Sequence, residues 1–314
     1  MKPKQMAPLI LIAVIWGSYY VASQQTVVRM AEPGKMSQFP TGIIIRFITM
    51  ILLTIIMFKK DELKLLLKVK GILGRLLLIG VLGFLLDLTA FIGLSLSPAG
   101  SGTALLKCDI IFVNLISIFI YKTKFKAADW ACVFVMLFGV FLVMGVDFTN
   151  FSIGNAETIF FILSALFVSI NAFVIKSVQL DKNNPAKDNV IAFYNNFVTM
   201  IFFTAAAVIH GDLGLLGKLS KDSGLLLAAL LAGLGQTGIY LVYYYDLRRF
   251  PVWIVKVFLL LMPIVSTILA FVLFGQTMSA NQYIGMAVVL LGAFGVLMLQ
   301  KKKSENGENV MAGQ

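Results

Sequence analysis

Apolar residues form ten long runs along the chain, and short polar loops separate them. A helix that crosses the roughly 30 Å hydrocarbon core of a bilayer needs about 20 apolar residues, and each run has about that length. The runs lie at residues 6–28, 39–58, 72–95, 99–121, 127–146, 157–177, 189–210, 223–247, 251–274 and 279–300. The pattern predicts ten transmembrane helices, with residues 301–314 as a disordered polar tail on the cytoplasmic side.

Composition supports a membrane class. Only 13% of the 314 residues are charged and 59% are apolar, whereas a soluble domain has about 25% charged residues. The polar residues are too few to cover a soluble fold, so we expect an all-α integral membrane protein. The net charge of +11 does not indicate a nucleic-acid partner, because the basic residues lie in short loops and not on one face.

The positions of the basic residues test the helix count and set the orientation. If the amino terminus is cytoplasmic, 19 of the 26 basic residues fall in the inside segments, and only four (Arg29, Lys35, Lys218 and Lys221) fall outside. Cytoplasmic loops of membrane proteins have this excess of Lys and Arg. The charge bias predicts that both termini are cytoplasmic.

The two halves of the chain align at an offset of 153 residues. Phe125–Trp130 then falls on Met278–Tyr283, and Gly139 falls on Gly292. Five helices per half is an odd number, so the second half enters the membrane inverted. Transporters built from inverted repeats bind substrate between the halves, although a passive scaffold would fit a repeat equally well. The alignment predicts two inverted five-helix repeats, at 1–150 and 151–300.

Several short motifs resemble a known family. They are Trp16-Gly17-Ser18, Ile45-Arg46-Phe47, Pro263, Gly275-Gln276, Gln282-Tyr-Ile-Gly285 and Gly292. In order and spacing they are similar to the ten-helix EamA branch of the drug/metabolite transporter superfamily, over about residues 6 to 300. The resemblance implies a permease that works by alternating access and needs no cofactor. The sequence departs from the family pattern at three places. Gln276 replaces the usual Glu after Gly275, and Lys122-Thr123 replaces the same Gly-Glu pair in the first repeat. Ile110 aligns with Pro263, so the first repeat lacks that proline.

Five ionisable residues lie inside apolar runs, where charge is costly and usually functional. They are Arg46, Asp87, Lys107, Asp109 and Lys256. Lys107 and Lys256 occupy related positions in the two repeats, so we predict that they hold an anionic substrate. Triose-phosphate translocators, which are distant members of the superfamily, bring lysines from equivalent helices to a phosphate. That resemblance is partial, because Val257 follows Lys256 where those proteins have Arg.

A structural interpretation of the same charges stays open. Lys107 and Lys256 would neutralise Asp87 and Asp109, and Arg46 would extend to the membrane interface. Alternatively, Asp87 or Asp109 carries a coupling proton, because desolvation raises the pKa of a carboxyl group. On an α-helix Lys107 and Asp109 point about 200° apart, so they cannot both face the centre of the bundle. Asn114 follows Lys107 by seven residues and would share its face.

Two helical faces combine aromatic and amide side chains, as binding pockets often do. One has Trp16, Tyr20 and Gln24, and the other has Gln236, Tyr240 and Tyr243. Such residues equally serve packing or interfacial belts. The predicted substrate-binding set is Lys107, Lys256, Asp87, Asn114, Trp16, Tyr20, Gln24, Gln236, Tyr240 and Tyr243, with Asn171, Asn195 and Asn196 as weaker candidates.

The sequence therefore predicts a secondary transporter of a small polar or charged metabolite, such as an amino acid or organic anion, in the bacterial cytoplasmic membrane. The expected partners are the solute and the lipid bilayer, with a homodimer left open. The glycine motif at 233–238 lacks the preceding strand that a dinucleotide site requires. The rival hypotheses are a membrane-embedded enzyme acting on lipid-linked substrates and a structural protein.

Overall fold

A computed structural model describes residues 3–121, 126–144, 146–147, 152–153, 159–183, 186–250 and 252–305. These residues are helical apart from loops and one antiparallel pair of two-residue strands, β1 (Val146–Asp147) and β2 (Ser152–Ile153). The helices are α1 (Pro3–Met30), α2 (Gln38–Lys59), α3 (Leu73–Leu96), α4 (Ala99–Leu105), α5 (Asp109–Tyr121), α6 (Ala127–Met144), α7 (Ile159–Gln179), α8 (Asp188–His210), α9 (Ser223–Arg249), α10 (Val252–Leu259), α11 (Met262–Phe274) and α12 (Ala280–Glu305). Short 3₁₀ helices lie at Leu63–Leu67, Leu106–Cys108 and Leu213–Ser220.

Eight helical stretches in the described residues are long and apolar enough to cross a membrane, and two shorter apolar helices lie at Ala127–Val143 and Met262–Phe274. Every predicted apolar run coincides with a helix or a pair of helices within about five residues. The end of α12 differs from the prediction, because the helix continues to Glu305 where a disordered tail was expected from residue 301. Lys122, Lys124 and residues 306–314 lie outside the described residues.

Two of the apolar runs are interrupted near the middle of the bundle. In the first, the 3₁₀ turn Leu106–Cys108 separates α4 from α5. In the second, α10 ends at Leu259 and α11 begins at Met262, with Pro263 in its first turn. Proline ends a helix there because it lacks an N–H and its ring clashes with the preceding turn. At the offset of 153 the two breaks coincide, so the absence of a proline at Ile110 does not remove the first one.

Helices α6 and α12 pack closely through equivalent glycines. A Cβ on Gly139 would lie 2.7 Å from the backbone nitrogen of Val289, and one on Gly292 would lie 3.0 Å from that of Met136. At the offset of 153, Gly139 corresponds to Gly292 and Met136 corresponds to Val289, so the two contacts are equivalent. Helices in matching positions of the two repeats therefore run antiparallel and contact each other symmetrically.

The remaining contacts follow the same symmetry. Helix α1 packs along α9 as α3 packs along α7, while α2 meets α8 and α4 meets α11. The interrupted run that begins with α4 is the most enclosed: 83% of Ala99–Ile116 is buried, against 29–50% of the other long apolar stretches. Large apolar side chains such as Phe58 and Leu291 face outward, as lipid-facing positions do.

Ion pairs link the loops at both ends of the bundle. At the end that holds Met30 they are Arg29–Asp222 (3.3 Å), Lys35–Asp212 (3.7 Å) and Lys218–Glu32 (2.9 Å). At the end that holds Lys59 they are Arg75–Asp181, Lys187–Glu62 (3.2 Å) and Arg248–Asp188 (2.6 Å). Each of these pairs except Arg248–Asp188 joins the first half of the chain to the second, so ion pairs link the two halves at both ends of their interface.

Candidate functional site

The two interrupted runs meet inside the bundle. The hydroxyl of Thr103 in α4 lies 2.6 Å from that of Ser266 in α11. Helix α1 approaches the second break through Gly17, where a Cβ would lie 2.9 Å from the carbonyl oxygen of Met262. Glycine at this position of the Trp-Gly-Ser motif therefore lets α1 approach the break.

A small cavity lies beside this junction. It encloses about 50 Å³, which is room for a few water molecules. Its walls come from α1, α2, α3, α7, α8 and α9, and six of its lining residues are aromatic: Trp16, Tyr19, Tyr20, Tyr240, Tyr243 and Tyr244. The Trp16 and Tyr243 rings meet edge to face with their centroids 5.0 Å apart. The cavity combines an aromatic wall with a few polar groups, as small-molecule sites commonly do.

One wall of the cavity is a buried ion pair. The Arg46 guanidinium donates hydrogen bonds to the Asp87 carboxylate, to the Tyr240 hydroxyl oxygen and to the Asn196 side-chain oxygen. Asn196 in turn donates to the Arg46 carbonyl oxygen at 2.8 Å. Arg46 and Asp87 are each 2% exposed. Arg46 therefore lies inside the protein and does not extend to the membrane interface.

A second buried group of charges lies at the first break. Lys256 donates to one oxygen of Asp109, and both side chains are buried. Lys107, which is 3% exposed, lies within electrostatic range of both. Among the residues that the structure describes, none makes a hydrogen bond or an ion pair with the Lys107 ammonium. We call Lys107, Asp109 and Lys256 the charge triad; it has two amines and one carboxylate.

Several polar groups around the triad and the cavity lack partners in the described part of the chain. They are the second oxygen of Asp109, the Nε of Arg46, the hydroxyls of Tyr19 and Tyr243, and the side-chain oxygen of Asn171. Buried polar groups are nearly always hydrogen-bonded, so each exception requires an explanation. Together with Lys107 these groups offer both donors and acceptors to a polar ligand.

The structure places most of the predicted binding residues in two groups. Trp16, Tyr20, Asp87, Gln236, Tyr240 and Tyr243 line the cavity, whereas Lys107 and Lys256 belong to the triad and are not among its lining residues. Two residues lie elsewhere. Gln24 donates to the carbonyl oxygens of Leu94 and Ser97, at 3.2 and 2.8 Å, and so ties α1 to the end of α3. Asn114 donates to the Ile110 carbonyl oxygen on its own helix at 2.9 Å.

The predicted pairing of charges differs from the observed one. Asp87 is paired with Arg46 and not with a lysine. The expectation that Lys107 and Asp109 point about 200° apart assumed a continuous α-helix, whereas Lys107 lies in a 3₁₀ turn, where each residue advances about 120°. Whether Asp87 or Asp109 carries a coupling proton stays a prediction.

Tyr19 and Tyr244 also line the cavity, although sequence reasoning did not select them. Tyr244 lies one helical turn from Tyr240, and their rings are 5.5 Å apart, so the i, i+4 spacing was an available signal. Tyr19 had only its neighbour Tyr20 to indicate it. Asn195, a weaker candidate, lines the cavity and donates to the Tyr244 hydroxyl at 2.9 Å.

Comparison with known proteins identifies the class. The profile of the EamA-like transporter family matches residues 6–145 and 156–298, one repeat in each half. The chain thus belongs to the EamA-like transporter family and is a multi-pass membrane transporter of the drug/metabolite transporter superfamily. A crystal structure of another protein superimposes with a TM-score of 0.63 at 16% identity, and the match covers 96% of this chain and 99% of that chain, which shows a shared fold. No curated protein matches the sequence.

Proposed function

We propose that this protein is a secondary transporter that moves a small acidic metabolite, such as an amino acid or related organic anion, by alternating access. The observation that supports this most is the unpaired Lys107 in the charge triad. A buried ammonium without a counter-charge is costly, and an anionic ligand group would supply that charge.

The unpartnered groups narrow the substrate class. A carboxylate would accept from Lys107 and from the Tyr243 hydroxyl, while an amine would donate to the free oxygen of Asp109 or to Asn171. A ligand that has both a carboxylate and an amine would hydrogen-bond to the unpartnered donors and to the unpartnered acceptors of the protein. This balance supports an amino acid, with the aromatic wall around Trp16 covering its apolar part.

The architecture supports the transport step. In this proposal the chain crosses the membrane ten times, as two oppositely inserted five-helix halves, with both termini in the cytoplasm of a bacterial cell. The cavity is smaller than such a substrate and ion pairs link the halves at both ends, so in this proposal the protein is in a contracted state. Breaking the ion pairs at one end would let the halves separate and the cavity expand toward that side. Interrupted helices at a repeat interface are typical of transporter sites.

Counterflow in proteoliposomes tests the proposal, because it requires no knowledge of the driving ion. Vesicles would be preloaded with a mixture of the L-amino acids, pyruvate, lactate and succinate, and uptake of each labelled compound would be measured. We expect one or a few acidic compounds to accumulate with the wild type and none with Lys107→Met. Lys60→Met, a change of the same kind at an exposed position, serves as the matched control.

Two results would contradict the proposal. If wild-type vesicles accumulated none of these compounds, the substrate class would be wrong. If Lys107→Met transported as well as the control, the triad would not bind the substrate.

A further inference from the structure

The charge triad has one more amine than it can neutralise. Asp109 accepts from Lys256, which leaves Lys107 without a counter-charge among the described residues. The other buried ion pair, Arg46–Asp87, uses its own cation and carboxylate. Neither ion pair has a second carboxylate that could neutralise a protonated Lys107.

The helices packed around the 3₁₀ turn provide no further counter-charge. These helices are α4, α5, α7 and α12. Helix α4 has no ionisable residue, α5 begins with Asp109 and ends with Tyr121, and α7 contributes only Lys176, which donates to the Leu247 carbonyl oxygen. In α12, Tyr283 is 40% exposed and the other ionisable residues follow residue 300. The neighbouring Cys108 and Tyr243 are neutral groups. Lys107 therefore faces one carboxylate that is already paired and one like-charged amine, Lys256.

The protonation of Lys107 must then depend on the ligand. An unpaired ammonium in the protein interior is strongly disfavoured against the neutral amine, whereas an anion beside it reverses that preference. We propose that Lys107 takes up a proton when the acidic substrate binds and releases it when the substrate leaves, so that Lys107 carries the coupling proton. This inference rests on the proposed function.

The step balances in atoms and charge. The neutral amine takes a proton from hydronium on the side to which the cavity is open: an O–H bond breaks, the N–H bond forms and water is left. The resulting ammonium pairs with the substrate carboxylate, and the proton returns to water as hydronium when the substrate leaves on the other side. One proton therefore accompanies each substrate molecule. Asp87 and Asp109 suit this role less, because protonating either would leave its bound cation unpaired.

Proton uptake on binding tests the inference. Purified protein in detergent, in a lightly buffered solution with a pH-sensitive dye, would receive the metabolite mixture used for counterflow, adjusted to the same pH. Tryptophan fluorescence would report binding, since Trp16 lines the cavity. We expect the wild type to take up about one proton per bound substrate, as linkage requires.

Variants of Lys107 separate proton uptake from binding. Arginine stays protonated in proteins, so Lys107→Arg should bind the mixture with no proton uptake. Lys107→Gln can hydrogen-bond but carries no charge, so it should bind more weakly than Lys107→Arg, and the binding that remains should occur without proton uptake. Asp109→Asn is the comparison for the carboxylates.

The outcomes are distinct. Fluorescence change with proton uptake in the wild type, and fluorescence change alone in Lys107→Arg or Lys107→Gln, would support the inference. Wild-type binding without proton uptake, or uptake that persists in both Lys107 variants and disappears in a carboxylate variant, would overturn it and leave the proposed function standing. No response of the wild type to any compound would overturn the proposed function, and this inference with it.

Discussion

The Arg46–Asp87 pair and the Lys256–Asp109 pair are both buried in the bundle, but their surroundings differ. The Arg46 guanidinium donates hydrogen bonds to three side chains, one each from α3, α8 and α9. Asp109 has one oxygen without a donor, and Lys107 beside it has no partner in the described residues. The first pair is balanced in charge, with Arg46 Nε as its one unpartnered nitrogen, whereas the charge triad is one counter-charge short.

This difference separates a structural role from a functional one more clearly than burial does. The five ionisable residues of the two pairs and Lys107 are all 1–3% exposed, so exposure does not distinguish them. The balance of charge does, because a neutralised pair joins helices whereas an amine without a counter-charge can bind an anionic ligand. Arg46 joins α2 to α3, α8 and α9, and thus holds together helices from both repeats.

The largest effect is expected from breaking the complete pair. Asp87→Asn or Arg46→Met leaves one buried charge without its partner, which costs about 3–5 kcal/mol in such pairs. We expect the folded yield in detergent, measured by fluorescence-detected size-exclusion chromatography, to fall sharply for each variant. Replacing both residues by apolar ones should recover part of the yield. Single variants that fold as well as the wild type would show that the pair is not structural.

A smaller effect is expected at the incomplete pair. Lys256→Met leaves Asp109 without its hydrogen-bond donor, and Lys107 is the other amine that interacts electrostatically with Asp109. We therefore expect a loss of about 1–3 kcal/mol of stability, measured as a lower midpoint of thermal unfolding. Lys107→Met should leave the midpoint of the ligand-free protein unchanged, because it removes a neutral amine that has no partner in the described residues. Equal losses in the two variants would contradict the difference between the two amines.

The sequence predicted the members of the site better than their pairing. Burial of Arg46, Lys107 and Lys256 followed from their positions in apolar runs, and the aromatic faces followed from helical spacing. The Arg46–Asp87 pair could not be predicted, because it depends on how α2 and α3 are rotated against each other. Gln24 shares the Trp16 and Tyr20 face, yet it lies one turn further along α1, where the end of α3 accepts its hydrogen bonds.

The fold followed from the sequence more completely, and the breaks show where inference stopped. Pro263 marks the interruption between α10 and α11, whereas the turn at Leu106–Cys108 has no comparable signal. The first break could be inferred only from the second, through the repeat offset of 153 residues. Gly139 and Gly292 were aligned from the sequence alone, and both lie at the contact between α6 and α12.

The exposed Arg29–Asp222 pair completes the series and should show the smallest effect. Its side chains are 43% and 38% exposed, and exposed ion pairs contribute little. Asp222 also caps α9, since its carboxylate accepts from the Leu225 backbone N–H at 3.0 Å. That hydrogen bond and Arg29 hold the pKa of Asp222 below its ordinary value.

The lowered pKa sets the sign of the pH dependence. The charged form is favoured by folding, so its stabilisation is present above the ordinary carboxyl pKa of about 4 and is lost as pH falls through the lower value in the folded protein. Asp222→Asn keeps a capping side chain and removes the charge. We expect its unfolding midpoint to lie slightly below that of the wild type at pH 7, and the gap to close in acid and in high salt. A gap as wide as that of Lys256→Met would mean that exposure does not rank these pairs.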